Sequence, residues 1–270
     1  MKKFSKLVVA TALLLAGTGI ATAQKAPAKL GGHPNLNGIW QTLPGANWNV
    51  EPHDMAEAPA ASQQIGAWGA IPAGVGVVEG GTIPYKPEAL KQRDENRKTS
   101  PAKDPEAACY LPGIPRATYM DHPFQIIQGE KGDILLAYGY ASANRVVLMR
   151  AVEVPPIDTW MGTSYGSWEG DTLKVVTLAQ NGMSWLDRAG NFVAGTATVT
   201  ERFKLRDADH IQYDVTIEDP ETFTKPWKMS MPIYRDITPN AQLLEFKCVP
   251  AAEKLLYGDL LADKDKYPKK

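Results

Sequence analysis

From Phe124 onward the chain breaks into short apolar–polar alternations separated by turn residues, and this pattern restricts the fold more than any other feature. Segments of strand length lie at Ile134–Tyr140, Arg145–Met149, Met161–Trp168, Thr172–Leu178, Thr196–Leu205, Ile211–Ile217, Trp227–Ile233 and Leu243–Cys248. Successive side chains of a strand point to opposite faces, so a period of two marks a sheet with one buried side. Trp168-Glu-Gly-Asp-Thr172 reads as a tight hairpin turn, because Gly170 supplies the positive φ such a turn needs. Eight segments at this spacing predict a mainly β fold, an antiparallel barrel or sandwich. A barrel is favoured because closure removes exposed edges.

The same period sorts residues into faces. In Thr196–Leu205, Ala197, Val199, Glu201 and Phe203 share one side, which puts a carboxylate among apolar neighbours. Ile211, Tyr213, Val215 and Ile217 form a second stripe, and Trp227, Met229, Met231 and Ile233 a third. Such an interior has the make-up of a small-ligand cavity. A filled core shows the same stripes.

The preceding chain is different in kind. Met1–Ala23 carries Lys2, Lys3 and Lys6, an apolar run and Ala21-Thr-Ala23, the three parts of a cleaved secretory leader. Residues 24–105 then form an irregular extension rich in Gly, Pro and Ala, with one strand at Leu36–Thr42 and one short helix at Pro87–Lys98. The barrel is expected over 106–270, as a single domain with the extension. Export gives the only two cysteines an oxidising compartment, so Cys109 and Cys248 are candidates for a disulfide. The formal net charge of −1, from 29 Lys and Arg against 30 Asp and Glu, leaves no basic excess for binding nucleic acid. After leader cleavage no membrane span is expected.

Motifs throughout the mature chain carry a resemblance. They include Asn35-Leu-Asn-Gly-Ile-Trp40, Pro84-Tyr-Lys-Pro-Glu-Ala-Leu90, Asp104-Pro-Glu-Ala-Ala-Cys109, Leu111-Pro-Gly-Ile-Pro-Arg116 and Trp160-Met-Gly162. Gly166-Ser-Trp-Glu-Gly-Asp-Thr-Leu173, Trp185-Leu-Asp-Arg-Ala-Gly190, Thr200-Glu-Arg-Phe203 and Asp219-Pro-Glu-Thr-Phe-Thr-Lys-Pro-Trp227 continue the series. Together they resemble a large family of exported bacterial lipocalin-like β-rich proteins. The resemblance implies a secreted or periplasmic lipocalin-like barrel and brings no assigned activity and no catalytic residues. Asn181-Gly-Met-Ser184 departs from it where similar chains have Asn-Asp before Thr-Trp. Val193-Ala-Gly-Thr196 departs where they have a histidine and an acid.

Candidate chemistry rests on few groups. Glu201 on an apolar face must be paired, protonated or functional, since burying a bare charge is costly. Arg145 and Arg116 are its candidate partners. His122, beside Asp121 and just before a strand, is a second acid–base candidate. Asp187 reads as a turn former. No two histidines stand at metal-ligand spacing, and no Gly-rich phosphate loop joins a strand to a helix, so no metal and no cofactor are expected.

Three functions follow. The first is a carrier of a small, largely apolar or aromatic molecule, walled by Trp160, Tyr165, Trp185 and Trp227 and anchored by Arg145 and Glu201. The second is a cofactor-independent isomerase, lyase or hydratase in the same cavity. There Glu201 or His122 would move the proton, and Arg116 or Arg145 would stabilise negative charge. The third is a structural module with a solid core.

Overall fold

A computed structural model describes residues 28–43, 45–57, 70–151, 153 and 156–250. The leader at Met1–Ala23 lies outside the described residues. Nine strands form the centre of the molecule: β1 (Gly38–Gln41), β2 (Phe124–Ile127), β3 (Ile134–Tyr138), β4 (Asn144–Leu148), β5 (Thr163–Glu169), β6 (Thr172–Leu178), β7 (Thr198–Leu205), β8 (His210–Glu218) and β9 (Trp227–Arg235). They close a barrel in chain order, with β9 returning to β1. The expected mainly β barrel is therefore the fold.

Eight neighbouring pairs are antiparallel, while β4 and β5 run parallel. The odd strand number demands such a pair, because alternating directions cannot close around an odd ring. Like the β9–β1 joint, the parallel seam is short. Its register covers only Val147↔Ser164 and Leu148↔Tyr165, whereas β7 pairs with β8 over its full length.

Alternation along the strands fills the interior. Leu173 and Val175 of β6, Val199 and Phe203 of β7, Ile211 and Tyr213 of β8 and Met229 and Met231 of β9 are all buried in one apolar cluster. Phe203 and Tyr213 stand opposite each other in register, their rings 4.9 Å apart. The hairpin expected at Trp168–Thr172 joins β5 to β6, with Gly170 at φ 61°.

The extension is built into this barrel. Its strand β1 bridges β9 and β2, so the barrel begins well before residue 106. The helix α1 (Pro87–Thr99) has Pro87 and Glu88 in its first turn and Arg97 and Lys98 in its last, each suited to the helix dipole. Only Asn96 is buried among its residues, and its Nδ2 donates to the Gly190 carbonyl at 3.1 Å. Gly190 has φ 87°, and a Cβ there would stand 2.7 Å from the Arg97 nitrogen, so the contact needs glycine.

A second helix, α2 (Arg116–Tyr119), is buried along its whole length. It brings Thr118 to the Tyr138 hydroxyl at 3.2 Å and Tyr119 to the Leu186 carbonyl at 2.8 Å. Cys109 and Cys248 form a disulfide.

The strand expected at Leu243–Cys248 is absent. That segment makes a single bridge, Tyr140↔Phe246, and leaves Leu244 and Phe246 exposed. The pairing of β9 with β1 has already closed the ring, so no edge is left to receive it. No helix among the described residues is long and apolar enough to cross a membrane.

Candidate functional site

Period-two alternation carries four polar side chains into one level of the barrel. Arg145 faces inward from β4, Thr177 from β6, Glu201 from β7 and Tyr213 from β8, and Ser164 joins them from β5. Glu201 is fully buried and Arg145 only 5% exposed. Arg145 Nη1 donates to Glu201 Oε2 at 2.6 Å, and Nη2 donates to Oε1 at 3.0 Å. The Tyr213 hydroxyl adds a third donor to Oε1 at 2.6 Å. Of the two partners expected for Glu201, Arg145 is the one it meets.

The fork geometry satisfies a carboxylate that burial alone would make costly. Burial opposes the charge on Arg145, but the adjacent carboxylate overcomes it and holds the guanidinium above its ordinary value. Burial, reinforced by Glu201, pushes the Tyr213 hydroxyl well above the usual phenol range. Burial likewise pushes Tyr138, with Arg145 5.9 Å from its ring centre, up to about 12. Among the described residues Arg145 Nε has no hydrogen-bond partner.

Above this pair the seam opens. The pairing of β4 with β5 stops at Val147 and Ser164, and beyond it the strands part around a crevice of about 430 Å³. Asn144, Arg145, Val146 and Leu148 line one side, and the run from Thr159 to Ser164 lines the other, with Leu111 adding to the wall. Trp160 stands in that run and stacks on Tyr110 at 4.8 Å, nearly parallel. The Leu111 loop is fixed by a two-way amide clasp. Ile114 N donates to Gln180 Oε1 at 2.7 Å, and Gln180 Nε2 donates to the Ile114 carbonyl at 2.9 Å.

The remaining sequence candidates lie elsewhere. Tyr165 is on the opposite face of β5 from Ser164, paired in register with Leu148 and Val176. Trp185 bridges Phe192 in the connection before β7. Trp227 opens β9 and sits edge-on to Phe223 at 5.5 Å. Thus one of the four aromatic residues, Trp160, shares a cavity with Arg145. His122 is half-buried and stacks on Phe246 at 4.2 Å, and this burial lowers its pKa despite Asp121 and Glu106 nearby.

Arg116 belongs to a second buried cluster. It donates to both oxygens of Asp104 at 2.8 Å, to Glu106 at 2.7 Å and to Asn47 at 2.8 Å. Arg188 grips Glu106 from another side at 2.7 and 2.8 Å and reaches Asp121 at 3.3 Å. Burial raises the Glu106 pKa, but Arg116 and Arg188 together outweigh it and hold the carboxyl below its ordinary value. Asp187 is also fully buried. It accepts from the Val50, Ala189 and Asn191 backbone nitrogens and from Asn191 Nδ2, the turn role its motif suggests. Burial nonetheless raises its pKa.

Sequence reasoning missed Tyr213, Asp104, Glu106 and Arg188 as site-forming groups. Tyr213 carried a signal, since it lies on the inward stripe of its strand. The others come from loops with no period to read. No group of three or more His, Cys, Asp or Glu among the described residues is placed to hold a metal ion. Comparison with protein-family models, curated proteins and solved structures returns no match.

Proposed function

We propose that this is an exported barrel protein that binds a small, largely apolar or aromatic molecule in the crevice between β4 and β5. The observation that carries this reading is the parted seam itself. It joins an apolar wall at Leu111, Trp160 and Met161 to the inner polar groups Arg145 and Ser164 in about 430 Å³. That volume falls within the ordinary range of small-molecule sites.

The polar side of the crevice favours a neutral ligand. Arg145 is already matched by Glu201, so an incoming carboxylate would find no uncompensated cation. A carbonyl or ether oxygen suits the unpartnered Nε and the open strand edges better. In this reading Glu201 positions Arg145, and both of its oxygens are occupied in doing so. The disulfide and the three-part leader support export to the periplasm or beyond.

A thermal-shift screen of the oxidised protein against neutral aromatic ketones and ethers tests the proposal, with mass spectrometry of each mixture. A ligand at one hundred times its dissociation constant adds about 2.7 kcal/mol of stability. The expected result is a stabilising compound recovered unchanged, with the shift largely lost in Trp160→Ala. A compound consumed during the assay would replace the carrier reading with an enzyme.

A further inference from the structure

A second cavity, of about 350 Å³, lies away from the seam, where the extension meets α1 and the Arg188 loop. Trp48, His53, Ile71, Arg97, Pro101 and Arg188 contribute to its lining. Its walls are mainly apolar. The Arg188 guanidinium lies 4.3 Å from the Trp48 ring centre and covers one face of the indole. At the rim Asp54 and Glu57 are exposed acids.

His53 is the side chain whose position demands explanation. Its backbone is fixed by reciprocal hydrogen bonds with Gly74, both at 2.9 Å. Its Nδ1 stands 2.9 Å from the Glu51 carbonyl. A carbonyl only accepts, so Nδ1 carries the proton and, in the neutral ring, Nε2 carries the lone pair. Gly74 makes room for this arrangement: a Cβ there would stand 2.5 Å from Cε1 and 3.1 Å from Nε2. Backbone pairing, a carbonyl on Nδ1 and a glycine under the ring therefore hold one tautomer in one orientation. Nε2 itself is buried and has no partner among the described residues. A buried acceptor in that state gains from any donor that reaches it.

We propose that this cavity binds a small neutral aromatic ring bearing a hydroxyl, whose O–H is donated to His53 Nε2. The apolar walls take the ring. The oriented lone pair selects a donor over an acceptor. This site is independent of the crevice at the β4–β5 seam and of any ligand bound there.

The test uses 4-ethylphenol and its O-methyl ether, 4-ethylanisole, on the oxidised protein with ¹⁵N-labelled histidine. Long-range ¹H–¹⁵N spectra report each ring nitrogen, and the His53→Phe variant assigns the His53 signals. The proposal expects 4-ethylphenol to move the His53 Nε2 resonance saturably. It also expects the ether to bind between about threefold and tenfold more weakly, the range of one net hydrogen bond. His53→Phe should lose affinity for the phenol by a similar factor. Equal affinity for phenol and ether at this site, or an Nε2 resonance unmoved at saturation, would overturn it. That comparison is made on the unsubstituted protein, so it stands even if the variant fails to fold.

Discussion

Two buried ion-pair clusters among the described residues are built in opposite ways. Inside the barrel, Arg145, Glu201 and Tyr213 project from regular strands, and each is placed by the pleat. Outside the strands, Asp104, Glu106, Arg116 and Arg188 are gathered from loops and one turn of helix. The barrel pair has one carboxylate for one guanidinium. The loop cluster shares Glu106 between two guanidinium groups and adds Asp104 and Asp121. The first is a detail of a sheet that has many other contacts. The second substitutes for regular structure, tying together loops that have no ladder of their own.

This difference makes Glu106 the most sensitive single position. Glu106→Ala leaves two buried guanidinium groups short of a partner and should cost about 5 kcal/mol, the upper end for breaking a buried pair. Chemical denaturation would measure it. A loss under about 1 kcal/mol would mean that the loops hold by other means.

The disulfide reinforces the same region, since the Tyr140 hydroxyl donates to the Glu106 carbonyl and also contacts Cys248. Replacing both cysteines by alanine should cost about 4–5 kcal/mol, because the bridge spans a sequence separation of 139.

In the barrel, Glu201→Gln should cost roughly 3 kcal/mol by stranding Arg145. Replacing Arg145 and Glu201 together by Met and Leu should restore most of it, as for other buried pairs exchanged for apolar groups. Tyr213→Phe removes one donor to a carboxylate and should cost about 1–3 kcal/mol. A double-mutant cycle between positions 201 and 213 reads their coupling.

The loop cluster also responds to acid. The lowered pKa of Glu106 contributes stability that is present above its unfolded value of 4.5 and is lost as pH falls through the folded value. Unfolding free energy should therefore decline below about pH 4.5, and Glu106→Gln should flatten that decline. A decline that is equally steep in the variant would remove Glu106 as its source.

Legibility in the sequence follows the same division. Alternation in Thr196–Leu205 puts Glu201 on the apolar face and narrows its partner to Arg145 or Arg116. Pro87, Glu88 and the basic last turn marked α1, and Gly170 marked its hairpin. The parallel seam could not be read, because it depends on the parity of the closed ring rather than on local pattern. Leu243–Cys248 alternates like a strand, yet a closed barrel leaves it nothing to pair with. Glu106 and Arg188 stand 82 positions apart in unpatterned chain, so only the folded molecule brings them together.

The central claim is that the parted seam beneath Trp160 is a ligand site, and isothermal titration tests it most directly. A neutral aromatic ligand found by the thermal screen would be titrated into the unsubstituted protein and into Trp160→Ala. That substitution removes one wall and leaves the Arg145–Glu201 pair untouched. The account predicts at least a tenfold loss of affinity, about 1.4 kcal/mol, with unfolding free energy changed by less than about 1 kcal/mol. Unchanged affinity in the variant would contradict it and move the ligand away from the seam.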